Sequence, residues 1–173
     1  DQVQFYLLEQ GSYQLRTLEC FPHVGGAAGD DEPDAMDKVV RFLLEELERR
    51  KKMFRKAGVG SPEGYAQRTG KAPAAILVLA DHVNLLGESF YELLNLLTKL
   101  SVEGPAYAMF TVCTFSGTLG VNSKLKQSFK RAVALRLPDR VAYSELVGKV
   151  IENPEELAVG RGYIRWAGET VVF

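Results

Sequence analysis

Ala74 to Ala80 form a continuous apolar run that stops abruptly at Asp81-His82-Val83-Asn84. A run this short, with no alternation of polar residues, reads as a strand buried on both faces, and such strands belong to parallel sheets covered by helices. In open sheets of that kind, ligands bind beyond the carboxyl ends of the strands. Asp81 is therefore expected on the lip of a functional crevice. An aspartate closing an apolar strand is also a common turn residue, and the run alone leaves both readings open.

Strand-like and helix-like stretches alternate around this run. Val3–Leu8 reads as a strand ending in a second carboxylate, Glu9. Gly11–Leu18 reads as a loop, and Pro22–Asp30, with three glycines, as a flexible connection. The long helix that follows carries Asp30, Asp31, Glu32 and Asp34 at its start and a basic run, Arg49 to Lys56, at its end, the polarity a helix dipole favours. Met36, Val40, Leu43, Leu47 and Phe54 mark its buried stripe, and Glu45–Arg49, Glu46–Arg50 and Glu48–Lys52 are spaced as helix-stabilising pairs. Gly58 and Gly60 end it, and Ser61-Pro62-Glu63 starts a short helix.

Beyond the central strand, Glu88–Val102 reads as a helix with a core stripe, Tyr107–Cys113 as a strand and Lys124–Phe129 as a short helix. Ala132–Leu137 reads as a further strand, with Asp139 capping a helix through Val147 to Val150 and Asn153-Pro154 marking a turn. Tyr163–Trp166 and Thr170–Phe173 flank Ala167-Gly168-Glu169 as a hairpin. The order predicts an α/β fold with a mainly parallel sheet, flanking helices and a C-terminal hairpin, formed as one domain over residues 1–173.

Composition narrows the function. A net charge of −1 on 173 residues argues against a dedicated nucleic-acid binder, and the basic run reads as a solvated helix end. Cys20 and Cys113 are too few for a disulfide framework, which suits free thiols in the cytosol. No apolar stretch reaches the length of a membrane span.

Phosphate-binding motifs are missing from these residues. A P-loop needs Gly, four residues, then Gly-Lys and a hydroxyl, so that amides cradle the phosphates, the lysine neutralises them and the hydroxyl reaches Mg²⁺. Gly64 to Gly70-Lys71 has one residue too many between its glycines, Ala72 has no hydroxyl, and Pro73 disfavours a helix there. Gly25-Gly26 and Gly160-Arg161-Gly162 lack the spacing of a dinucleotide fingerprint. With only His23 and His82 and two distant cysteines, no zinc pattern forms. His82 beside Asp81 has the chemistry of a general base and equally that of a polar strand-end residue.

Taken as an ordered set, Val3–Gly11, Pro22-His23-Val24, Leu47-Glu48-Arg49-Arg50, the Asp81 strand, Thr114–Gly120, Gln127–Leu137, Pro138–Gly148 and Gly160-Arg161-Gly162 resemble the FtsK/SpoIIIE ATPase domains of type VII secretion systems. The resemblance covers nearly the whole chain. It implies a RecA-like P-loop ATPase fold, ATP and Mg²⁺ as cofactors, other ATPase domains or subunits of the same motor as partners, and small helical-hairpin proteins as exported substrates. It implies a place at the cytoplasmic face of the membrane within a membrane-anchored protein, with no insertion by this chain itself. Asp81 matches the Mg²⁺-side carboxylate of the Walker B strand and Thr114 the polar residue ending the next strand; His82 stands at the neighbouring catalytic position and Arg161 among the nucleotide-binding residues.

The departures from the family pattern shape the expectation. In the family a first strand, the P-loop and its helix precede the Val3–Leu8 strand, so this chain reads as a domain lacking its nucleotide-cradling front end. The family's aspartate after the Val3–Leu8 strand is Glu9, its polar or acidic residue after the Walker B aspartate is His82, and its late-strand arginine falls at Ala132, beside Arg131. The absent strand would lie between Tyr107–Cys113 and Ala132–Leu137, leaving two edges to close up or to be filled by another segment. The expected function is a fragment or degenerate ATPase domain acting through assembly and substrate contacts, without hydrolysing ATP by itself. The alternatives are part of an active motor whose P-loop lies elsewhere, and a DNA translocase of the same superfamily.

Overall fold

The computed structural model describes residues 2–11, 13–83, 91–117, 120–148, 158–166 and 168–173. The expected turn at Asn153-Pro154, the start of the Glu88–Val102 helix, Thr118 and Leu119 of the Thr114–Gly120 stretch, and Ala167 of the hairpin turn lie outside them. The chain forms two compact units, Asp1–Phe115 and Ser116–Phe173.

In the first unit, β1 (Val3–Glu9), β2 (Val24–Gly29), β3 (Ala75–Ala80) and β4 (Met109–Cys113) form a four-stranded parallel sheet in the order β2-β1-β3-β4. The apolar run is thus an interior strand, as its composition requires. Ile76, Val78 and Ala80 are buried. Two helices bring apolar stripes to this core: Met36, Val39, Val40, Leu43, Leu47 and Phe54 on α1 (Pro33–Ala57), and Leu93, Leu96, Leu97 and Leu100 on α3 (Tyr91–Glu103). Between them, α2 (Pro62–Thr69) starts at Ser61, whose side chain accepts from the Gly64 amide. Gly58 closes α1 at φ 66°, a left-handed conformation that glycine adopts at little cost.

The segment expected to be a flexible glycine connection is instead strand β2, which pairs with β1 from Val24 to Gly29. Its glycines make room for an aromatic ring. A Cβ on Gly25 would lie 2.7 Å from the Tyr6 hydroxyl oxygen, and one on Gly26 would meet Val39 at 3.3 Å. Tyr6 in turn stacks on Phe42 of α1 at 5.3 Å between centroids. Low strand propensity is overridden here by ring packing and by the neighbouring ladder.

Inside the basic run, Arg50 is 3% exposed. Its Nε donates to Glu46 at 2.7 Å, Nη1 to the carbonyls of Tyr107 and Ala108, and Nη2 to the carbonyl of Ala74. Its neighbours keep to the helix surface, with Arg49 on Glu46 and Lys51 bridging Glu48 and Glu103. Of the three expected four-residue pairs, Glu46–Arg50 forms. Arg49 and Lys51 pair three residues back instead, which replaces Glu45–Arg49 and Glu48–Lys52 among the described residues. Burial raises the Glu46 carboxyl, but hydrogen bonds from Arg49 and Arg50 outweigh it and hold the group below the usual carboxylate range.

In the second unit, β5 (Val133–Ala134), β6 (Tyr163–Trp166) and β7 (Glu169–Val172) form an antiparallel sheet in that order, with α4 (Ser123–Ser128) and α5 (Arg140–Leu146). The C-terminal hairpin is as expected. The Ala132–Leu137 strand is shorter than its composition suggests. Past Ala134 the backbone turns to a side chain: the Tyr143 hydroxyl donates to the Leu135 carbonyl and accepts from the Leu137 amide, each at 2.8 Å. Tyr143 is fully buried and meets Tyr163 edge-on at 5.3 Å. Asp139 caps α5 by accepting from the Ala142 amide at 2.8 Å.

Three outcomes follow for stability. Arg50→Met removes the side-chain donor shared by the carbonyls of Ala74, Tyr107 and Ala108 and one of the two arginines on Glu46, and is expected to cost about 3–5 kcal/mol in urea unfolding. Because Glu46 is held below its reference value of 4.5, the pair's contribution is complete above that pH and is lost as pH falls through the lowered pKa. Gly25→Ala is expected to cost about 1–3 kcal/mol, and a cycle with Tyr6→Leu to show favourable coupling, since the ring that the new methyl meets is then gone. Tyr143→Phe leaves the Leu135 and Leu137 groups unpaired and is expected to cost about 1–3 kcal/mol, read by hydrogen exchange at the Leu137 amide.

Candidate functional site

The register of the first sheet lines up four residues at its carboxyl end. Glu9 pairs with Gly29 across β1 and β2. The Asp81 amide donates to the Leu8 carbonyl at 2.8 Å, and the Thr114 amide to the Ala80 carbonyl at 2.9 Å. Gly29, Glu9, Asp81 and Thr114 therefore form one row at the edge where parallel sheets place their ligands.

Within that row, Asp81, His82 and Thr114 form one hydrogen-bonded group. The Thr114 hydroxyl donates to Asp81 Oδ1 and accepts from the His82 backbone amide at 3.0 Å. The turn that allows this places His82 at φ 55°, a left-handed conformation uncommon outside glycine, and the Val83 amide then closes on the Thr114 carbonyl at 3.1 Å. His82 Nε2 lies 3.8 Å from Asp81 Oδ2, an ion pair only when the imidazole is protonated. The Asp81 side chain is mostly enclosed and that of His82 is open to solvent. Beside them, burial pushes the Cys113 thiol up to about 12, so it stays protonated and unreactive at neutral pH.

Next in the row, Glu9 is buried. Its Oε2 accepts from the Leu15 amide at 2.9 Å, and its Oε1 faces Arg16 Nε at 3.5 Å. Arg16 also reaches Asp31 at 3.3 Å and Glu32, and lies under the Tyr13 ring. This arginine ties Glu9 to the start of α1, and nothing in the aperiodic Gly11–Leu18 segment singles it out. That segment carries a short 3-10 turn, Leu15–Leu18, which places Arg16. Repulsion from Asp31 and Asp30 raises the Tyr13 hydroxyl above its ordinary value.

Arg161 belongs to the second unit, where its side chain is exposed and its amide donates to the Ala158 carbonyl at 3.0 Å. The flanking glycines have local reasons. Gly160 sits at φ 87°, and a Cβ on Gly162 would lie 2.8 Å from the Ala134 carbonyl oxygen.

A Mg²⁺ ion takes six oxygens and is ordinarily held by one or two carboxylates together with phosphates and waters. Asp81 fits as one such ligand, already oriented by Thr114. No cluster of three or more His, Cys, Asp or Glu side chains able to hold a metal occurs among the described residues.

The chain is 28% identical over 151 residues to the type VII secretion system protein EssC of Staphylococcus aureus, an alignment covering 86% of this chain and 10% of that protein. It spans about a tenth of that relative's length. The structure of EssC (ATPases 2 and 3) from Geobacillus thermodenitrificans superposes with a TM-score of 0.89 at 20% identity, covering 99% of this chain and 33% of the other. Thermomonospora curvata EccC (ATPases 2 and 3), solved in complex with a signal sequence peptide, superposes at 0.77 with 25% identity, covering 95% and 30%. The match to the FtsK/SpoIIIE family extends over residues 1–162, and the chain belongs to that family.

Proposed function

We propose that this chain is part of one ATPase domain of a type VII protein secretion motor, a degenerate or partial domain that acts through contacts with other ATPase domains and with exported proteins. The observation that carries the reading is the Asp81–Thr114 pair at the carboxyl end of the parallel sheet, on a chain of this family. In this reading Asp81 supplies one ligand to a Mg²⁺ ion shared with ATP, Thr114 orients that carboxylate, His82 occupies the adjacent catalytic position, and Arg161 contributes to nucleotide binding.

Hydrolysis by these residues alone is not expected. ATP chemistry depends on a phosphate cradle and on charge neutralisation at the transferred phosphoryl group, and the 173 residues contain no P-loop motif. Phe110 and Val112 of β4 are exposed and β4 ends the sheet order, which supports pairing with a further strand from a longer polypeptide or a neighbouring subunit.

The partners proposed are other ATPase domains or subunits of the motor and small helical-hairpin secreted proteins, with the chain at the cytoplasmic face of a membrane that it does not itself enter. No described helix is long and apolar enough to cross a membrane. The bound signal sequence peptide of Thermomonospora curvata EccC supports an export substrate. A DNA translocase is the weaker reading, because three of the six cations in the basic run that motivates it are engaged within the protein, Arg50 by burial and Arg49 and Lys51 by pairing with carboxylates, and the net charge of the chain is −1.

Titration calorimetry of the chain with Mg²⁺-ATP tests the reading directly. Affinity weaker than millimolar is expected, and micromolar binding that survives Asp81→Ala would overturn the role given to Asp81. In a longer protein that hydrolyses ATP, Asp81→Ala is expected to abolish turnover and Thr114→Val to lower it by about 10–100-fold, as for groups that orient a metal ligand. Unchanged turnover in both variants would place the active nucleotide site elsewhere and remove the second reading, in which this chain completes an active motor.

A further inference from the structure

Successive amides of an extended strand point to opposite sides of it, and the end of β3 departs from that alternation at one residue. The Asp81 amide donates toward β1, to the Leu8 carbonyl at 2.8 Å. The His82 amide donates toward β4, to the Thr114 hydroxyl oxygen at 3.0 Å. Continued extension would return the Val83 amide to the β1 side. Instead it too faces β4, donating to the Thr114 carbonyl at 3.1 Å. The reversal is made at His82, whose φ of 55° lies in the left-handed region.

Thr114 is thereby gripped at both of its oxygens by two successive amides, while its own amide is engaged on the Ala80 carbonyl at 2.9 Å. A hydroxyl oxygen that accepts from a fixed backbone donor keeps its one proton for another direction, and here that proton goes to Asp81 Oδ1. The imidazole takes no part in this hold. Its Nε2 stands 3.8 Å from Asp81 Oδ2, beyond hydrogen-bond length, and the side chain is 40% exposed.

We propose that His82 is a positioning residue that acts through its backbone: the left-handed turn sets Thr114, and through Thr114 the Asp81 carboxylate, without the imidazole. The demand at position 82 is then for a residue that accepts positive φ, met by glycine or asparagine as well as by histidine, and not for a particular acid or base. The consequence for metal binding rests on the reading of Asp81 as the Mg²⁺-side carboxylate. On that reading, a β-branched residue at position 82 loosens the metal ligand without touching it, because the turn no longer holds the hydroxyl that orients the carboxylate.

Amide hydrogen exchange of the 173-residue chain, read by nuclear magnetic resonance at positions 82 and 83, tests the backbone role. His82→Gly and His82→Asn both remove the imidazole and permit positive φ, and are expected to keep protection at both positions within about threefold of the parent chain. His82→Val also removes the imidazole but opposes that conformation, and is expected to lower protection at both positions by about tenfold or more. Thr114→Val withdraws the hydroxyl and is expected to expose the amide at 82 while sparing the one at 83, whose acceptor is a carbonyl. Thr114→Ser is expected to restore it. The Ile76 amide, which donates to the Ala108 carbonyl at the far end of β3 and β4, reports that each variant is folded. His82→Ala, with a single methyl, takes the place of valine if that variant does not fold.

Mn²⁺ added alone, read by broadening of the Asp81 and Thr114 resonances, separates this proposal from the reading of Asp81. Expected is broadening in the parent chain and in His82→Gly, affinity about tenfold weaker in His82→Val, and no broadening in Asp81→Asn. No broadening in the parent chain would overturn the metal reading of Asp81, while the exchange results decide the role of His82 without it. Protection lost as fully in His82→Gly as in His82→Val would overturn the proposal, because the imidazole would then be the holding group. So would full protection in the valine variant, or equal Mn²⁺ affinity in the glycine and valine variants.

Discussion

The buried guanidinium of Arg50 is the contact on which the first unit depends. It reaches from α1 to the carbonyl of Ala74, immediately before β3, and to those of Tyr107 and Ala108, immediately before β4. The Ala108 carbonyl also accepts from the Ile76 amide at 2.9 Å, so the same oxygen begins the β3–β4 ladder. One side chain thereby aligns the amino ends of two parallel strands. The ladder carries that alignment from Ile76–Met109 to Ala80–Cys113, and one residue later it brings Thr114 beside Asp81. A slip of one residue would turn each side chain to the opposite face. The hydroxyl–carboxylate pair at one end of the sheet is in this sense a consequence of the arginine at the other.

Much of this fold is legible in the amino-acid sequence because it rests on periodicity. The stripe of α1 recurs at helical spacing, its glycine stop is a backbone necessity, and an apolar run without alternation has few homes other than an interior parallel strand. What escapes is decided by tertiary packing. Gly25 and Gly26 belong to a strand because Tyr6 needs the space above them, and nothing local to that segment says so. The Ala132–Leu137 stretch looks uniformly strand-like, yet a hydroxyl six to eight residues further on takes two of its backbone groups.

The site shows the same division. Asp81 stands out because a carboxylate ends an apolar run, and Thr114 and Arg161 enter only through family resemblance. The proton that Thr114 gives to Asp81, and the left-handed turn at His82 that makes it possible, have no pattern in one dimension. Arg50 is the plainest case. In sequence it is one cation among several at a helix end, and only the three carbonyls converging on it distinguish it from Arg49 and Lys51, which remain at the surface.

The arithmetic of one hydroxyl proton constrains how such a site can work. Thr114 has a single proton, and Asp81 holds it, while the lone pairs of the same oxygen face the His82 amide. Phosphate oxygens only accept, so Thr114 cannot donate to a nucleotide without releasing Asp81. A cation held by Asp81 would favour that release, because it would compete for the electron density that the hydroxyl proton engages. In the proposed site, metal at the carboxylate and phosphate at the threonine would therefore support one another. Glu9, next in the row, cannot substitute for Asp81 in that exchange, since its charge is already drawn toward Arg16 and its second oxygen is spent on the Leu15 amide.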